Sequence, residues 1–89
     1  MAYLVEVAPA AERQIKKLTK AVQRQALAAI QELAQNPRPG GARALQGNLK
    51  GLLRIEFGPK KDYRIVYQVR DDVLTVLVVK VADRKQVYK

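Results

Sequence analysis

Apolar and polar positions recur along this chain with two periods, and each period marks an element. Tyr3 to Val7 alternates and is rich in β-formers, which predicts a short opening strand. Pro9 suits the first turn of a helix, where its missing N–H costs little. Ala11, Ile15 and Leu18 then follow at i, i+4 and i+7, the stripe of an amphipathic helix. A second helix is predicted from about Lys20 to Gln35, with Val22, Ala26, Ala29, Ile30 and Leu33 as its apolar side. Asn36-Pro37 ends it, because the residue before a proline is pushed out of the α region. The product is an antiparallel helix hairpin.

Residues 37–51 read as loop, with Leu45 and Leu49 pinning it to the body. Three strands are expected next, about Leu52–Phe57, Tyr63–Val69 and Val73–Val81. The turn Gly58 to Asp62 joins the first two, and Asp71-Asp72 lies in the second turn. Residues 1–89 thus form one α+β domain of order β-α-α-β-β-β. The helix hairpin packs on one face of an antiparallel sheet, and the other face is open.

Strand phase sorts the side chains. Leu53, Ile55 and Phe57 share one face, as do Tyr63, Ile65, Tyr67 and Val69, and both sets belong against the helices. Arg54, Glu56, Arg64, Gln68 and Arg70 then fall on the open side. If Phe57 lies opposite Tyr63, the five-residue turn sets Glu56 opposite Arg64, with Arg54 one step further along. The last strand is apolar on both phases, which suits a central strand or one whose open face is covered by the tail or a partner. Its register is not fixed by pattern.

Charge changes the picture. Seventeen Lys and Arg against eight Asp and Glu give a net +9 on 89 residues. A polyanionic partner is expected: nucleic acid first, then an acidic protein, then a membrane surface. A merely soluble basic surface is the plainer alternative. The chain has no His and no Cys, so disulfides and the usual zinc sites are excluded, and any chemistry must do without imidazole or thiolate. No signal peptide and no membrane-length apolar run is seen, so a cytoplasmic protein is expected. No cofactor and no metal is implied.

Each candidate also has a plainer role. Arg64 and Glu56 could be an ordinary cross-strand salt bridge, which contributes only about 0.2–1 kcal/mol when exposed. Lys60 and Lys61 could be solvated turn residues, and Tyr88 a plug for the tail. Tyr67 faces the helices and reads as core. The lysines of the first helix read as a solvated face.

Three segments resemble a known family. Leu45-Gln46-Gly47 through Gly51-Leu52-Leu53-Arg54-Ile55 resembles the "L-x-G…G-x-x-R-I" approach of the RelE/ParE toxin superfamily. Asp62-Tyr63-Arg64-Ile65-Val66-Tyr67 resembles its "DYRIVY" strand, and Val81 to Tyr88 its closing "V-x-x-R-x-x-V-Y". The likeness covers nearly the whole chain and is nearest to RelE-type toxins.

The resemblance implies a toxin of a type II toxin–antitoxin system that enters the ribosomal A site and cuts mRNA there. It implies a cognate antitoxin as partner, besides the ribosome and mRNA. Arg54, Arg64, Arg84 and Tyr88 match positions that serve cleavage. Lys60 and Lys61 lie near further basic residues of the family, and with Lys50 and Lys85 they are the candidate RNA-binding set. RelE-type members often carry a lysine two residues after the Arg54 position. Glu56 stands there in this chain, and other members of the superfamily use a carboxylate as base.

The chemistry expected is metal-independent. The RNA 2′-hydroxyl attacks phosphorus and leaves a 2′,3′-cyclic phosphate and a 5′-hydroxyl. Arg64 would grip the phosphate, because its planar fork donates bidentate, charge-assisted hydrogen bonds. Arg84 would be a second clamp or leaving-group donor, and Arg54 a support. Tyr88 would stack on a base or move a proton, and Glu56 is the candidate base. Two other readings stay open: a ParE-like toxin that poisons DNA gyrase, and a module that binds RNA or ribosomes without catalysis.

Overall fold

Residues 2–83 are described in a computed structural model of the chain. The opening strand β1 spans Leu4–Val7, helix α1 Pro9–Lys16 and helix α2 Lys20–Gln35. Pro9 begins α1, as the missing N–H allows. The turn between the helices is held from both sides. Thr19 Oγ1 accepts the Val22 N–H at 3.3 Å at the start of α2. The Gln23 amide donates to the carbonyls of Lys16 and Leu18 at 3.2 and 2.9 Å, closing the end of α1. Asn36 takes an extended conformation before Pro37, and α2 stops there.

A two-residue strand that the pattern did not predict, β2 (Arg43–Ala44), comes next. Then follow β3 (Leu53–Phe57), β4 (Tyr63–Arg70) and β5 (Thr75–Asp83). The sheet order is β1-β5-β4-β3-β2. The α+β layering is as expected, but the sheet is mixed rather than wholly antiparallel, because β1 runs parallel to β5. Short turns force β3, β4 and β5 to reverse. No such turn joins β1 to β5, so nothing local sets its direction.

The register Phe57 opposite Tyr63 and Glu56 opposite Arg64 is present as the turn length required. Gly58 makes that turn possible. Its φ is +102°, and a Cβ there would meet the Tyr63 ring at 2.9 Å. The Phe57 and Tyr63 rings stack beside it, with centroids 5.4 Å apart.

The core lies between helices and sheet. Ala11, Ile15, Ala26, Ile30 and Leu33 meet Ile55, Phe57, Ile65 and Tyr67, joined by Val76, Val78 and Val81. The two-phase apolarity of the last strand has a simple cause. The β4–β5 register passes from Tyr67 opposite Val78 to Val66 opposite Lys80, so Val79 has no partner. This bulge shifts the phase, and Val76, Val78 and Val81 all reach the helix side. Gln14 Oε1 of α1 accepts the Val81 N–H at 2.8 Å next to the bulge.

The opposite face is not fully open. Leu45, Leu49 and Leu52 fold across it and pack on Val66, Val79 and Ala82, a second small apolar cluster. Leu45 and Leu49 pin the loop, as expected. The cover over β5 on this side is therefore partly the chain's own loop. No helix among the described residues is long and apolar enough to cross a membrane.

Candidate active site

β3 and β4 bring three charged side chains together on the face away from the helices. Arg64 Nη2 donates to Glu56 Oε2 at 3.2 Å. Arg54 Nη1 stands 4.0 Å from Glu56 Oε1, an ion pair without a hydrogen bond. The side chains of Arg64, Arg54 and Glu56 are 9%, 19% and 33% exposed. The leucine-lined loop packs on the same face, on Val66 and Ala82, the register partners of Arg54 and Arg64.

Among the described residues two cations share one carboxylate here. Arg54 Nη1 is buried with no hydrogen-bond partner among the described residues. Leaving a buried donor unused costs on the order of 1–3 kcal/mol, and the cost falls away when an anion takes the donor up. A phosphate oxygen has the charge and acceptor geometry to do so. The cross-strand salt bridge expected as the plainer role of Arg64 is present, and its arginine side is nearly buried.

The other candidates are scattered. Lys60 and Lys61 are exposed on the β3–β4 turn, and Lys61 takes a left-handed conformation with φ of 53°. Lys50 is exposed where the loop leaves its single helical turn, its N–H bonded to the Gly47 carbonyl at 3.1 Å. Arg84, Lys85 and Tyr88 lie outside the described residues. Tyr67 is core, as its phase requires. Its hydroxyl donates to the Pro37 carbonyl at 2.7 Å, and burial pushes its pKa up to about 12.

One neighbour of the site escaped the sequence pattern. Arg43 of β2 is the register partner of Arg54 and is exposed, so it adds a third arginine beside Arg54 of β3 and Arg64 of β4. A two-residue strand shows no periodicity, and only the pairing reveals it. Among the described residues no three His, Cys, Asp or Glu side chains are grouped closely enough to hold a metal ion.

The family model for the ParE toxin of type II toxin–antitoxin systems, parDE, matches residues 5–88. The chain belongs to this toxin family. Solved structures agree on the wider RelE/ParE superfamily and on the fold. The toxin is 29% identical to E. coli toxin RelE in a mutant form in the free state, with 99% of this chain and 92% of that one covered and a TM-score of 0.79. It is 27% identical to the archaeal RelE–RelB complex of Pyrococcus horikoshii OT3, covering 94% and 97% with a TM-score of 0.78. The toxin–antitoxin complex RelBE2 of Mycobacterium tuberculosis shares the fold at 24% identity, covering 94% and 100% with a TM-score of 0.79. No protein of curated function matches the chain.

Proposed function

We propose that the toxin is a ribosome-dependent endoribonuclease that cuts mRNA in the A site and is silenced by a cognate antitoxin. The observation that carries this reading is the cluster in which Arg54 and Arg64 flank Glu56 and a buried Arg54 donor is unused. The sequence likeness to RelE over nearly the full chain supports it. RelE is solved with the antitoxin RelB, and a net charge of +9 suits both ribosomal RNA and an acidic antitoxin.

The cluster supplies the phosphate grip and the base for the reaction. A phosphate entering the cluster takes donors from Arg54 and Arg64, and Glu56 is released from its bond to Arg64 Nη2. Glu56 then accepts the 2′-hydroxyl proton as the 2′-oxygen bonds to phosphorus and the bond to the 5′-oxygen breaks. The leaving 5′-oxygen takes a proton from a donor, the role assigned to Arg84 or Tyr88. The arginines stabilise charge on the equatorial oxygens, often the largest single contribution to such catalysis. Alignment of the 2′-oxygen is left to the ribosome, which holds the mRNA in place.

Primer extension on a defined mRNA in a purified translation system tests the proposal. Wild type should cut within A-site codons only when ribosomes are present. Arg64→Ala should cut about 100- to 1000-fold more slowly. Strong cutting of free RNA by the pure toxin at ordinary salt would sink the ribosome-dependent reading.

The family model itself favours a second reading, a ParE-like toxin acting on DNA gyrase. Under that reading, arrested cells show damaged DNA and intact mRNA, and Arg64→Ala keeps its toxicity. If purified toxin neither cuts mRNA nor blocks gyrase, a purely binding role is left.

A further inference from the structure

β2 sets Arg43 directly opposite Arg54, cation against cation. Partners in an antiparallel ladder carry their side chains on the same face, so Arg43 stands on the face of the cleavage cluster. Like charges directly opposite each other across two strands are destabilising. Arg54 has some relief, because Glu56 lies 4.0 Å away. Arg43 has none: it is exposed and forms no ion pair among the described residues. Residues 84–89 contain no Asp or Glu that could supply one. The strand that presents Arg43 is two residues long, so half of it is this unrelieved charge. Folding alone gives no reason for an arginine at that place, and an anion drawn from solution does.

The anion is not the one held at Arg64. Arg54 is paired with Val66, and Arg64 is two residues from Val66 along β4. Arg43 and Arg64 are therefore two strands and two residues apart, about 12 Å between backbones by strand spacing and rise. Side chains stand roughly perpendicular to a sheet, so the two guanidinium groups serve different positions. We propose that Arg43 binds the phosphate next to the scissile one, and so helps to fix which linkage of the message lies over Glu56. It rests on the nuclease reading given above. RNA is favoured over an acidic protein as the partner. A protein interface needs an apolar centre, yet the exposed large apolar side chains among the described residues are Leu4, Leu27, Val73 and Leu74, none of them on β2 or β3. An RNA strand held at one phosphate brings its next phosphate within a nucleotide step, and the arginine fork suits it.

The test is single-turnover cleavage on ribosomes loaded with three synthetic messages. One is unmodified, and the others carry a neutral methylphosphonate linkage on the 5′ or the 3′ side of the cut. On the unmodified message Arg43→Ala should be about tenfold slower than wild type, the worth of one charge-assisted contact. One of the two neutral linkages should slow wild type about as much and leave Arg43→Ala unchanged, because the contact is already gone. Arg43→Lys should keep part of the rate, since it keeps the charge without the fork. The thermal midpoint of Arg43→Ala should match or exceed that of wild type, since the opposed charges are relieved. Wild-type rates in Arg43→Ala would overturn the proposal. So would neutral linkages that slow wild type and Arg43→Ala equally, which would assign Arg43 to ribosomal RNA. If wild type cuts no message on ribosomes, the nuclease reading falls and this proposal with it. If wild type cuts and the two losses simply add, only this proposal falls.

Discussion

Arg64 and Tyr67 sit three positions apart on β4, so alternation sends them to opposite faces and opposite roles. Tyr67 goes under the helices, and its hydroxyl satisfies the Pro37 carbonyl just past the end of α2. Tyr67→Phe should leave that acceptor without its partner and destabilise the toxin by about 1–3 kcal/mol. In a domain of this size each kcal/mol moves the thermal midpoint by roughly 4–8 °C. Calorimetry checks this, and an unchanged midpoint would mean that water replaces the hydroxyl. Arg64 goes to the other side, where it is nearly covered yet bound to a carboxylate that a phosphate can displace. Arg64→Lys keeps the charge but loses the planar fork, so it should recover only part of the cleavage lost in Arg64→Ala. Equal rates for arginine and lysine at this position, read by single-turnover cleavage on ribosomes, would deny the fork any role.

Among the elements, two joints outside the main core hold the layers in register. Gln14 reaches from α1 to the Val81 N–H beside the bulge of β5. Gln14→Ala should expose that donor and cost about 1–3 kcal/mol, with faster hydrogen exchange at Val81 than elsewhere in β5. At the other end of the molecule, Arg38 grips Asp71 with two hydrogen bonds of 3.2 and 2.8 Å, and the Tyr3 hydroxyl donates to it at 2.6 Å. Arg38, and then Tyr3, hold the Asp71 carboxyl down at about 2. A lowered folded-state value means that the stabilisation is complete above the unfolded value of about 4. It is lost as the pH falls through about 2. Acid titration of wild type against Asp71→Asn should therefore show curves that converge between about pH 4 and pH 2. Parallel curves across that window would show that the cluster adds nothing to folding.

At the scale of the whole molecule, the toxin separates its surfaces by layer. The sheet face carries a compact cluster beside a leucine-pinned loop, and the helix layer carries loose cations in water. In the proposed reaction the ribosome orients the substrate, and holding reactants in place is worth on the order of 7–11 kcal/mol. Free RNA should accordingly be cut orders of magnitude more slowly than mRNA on ribosomes, as measured by cleavage rates at equal toxin concentration. A difference below about tenfold would place the alignment within the toxin itself.

The amino-acid sequence alone determined the helix hairpin, the β3–β4 pairing and the meeting of Glu56 with Arg64. These follow from local periodicity, a proline stop and a turn of known length, all of which act over a few residues. The motif likeness to the toxin superfamily was legible for the same reason, since its segments are short and continuous. Only the tertiary structure decided that β1 lies parallel beside β5, that Val79 bulges, and that Arg43 joins the arginine row through β2. It also decided that Leu45, Leu49 and Leu52 pack on the face that carries the cluster, and that the Arg64 side chain there is only 9% exposed. Such pairings join residues far apart in the chain, and the energy that chooses them comes from burial against surfaces that exist only once the layers have met.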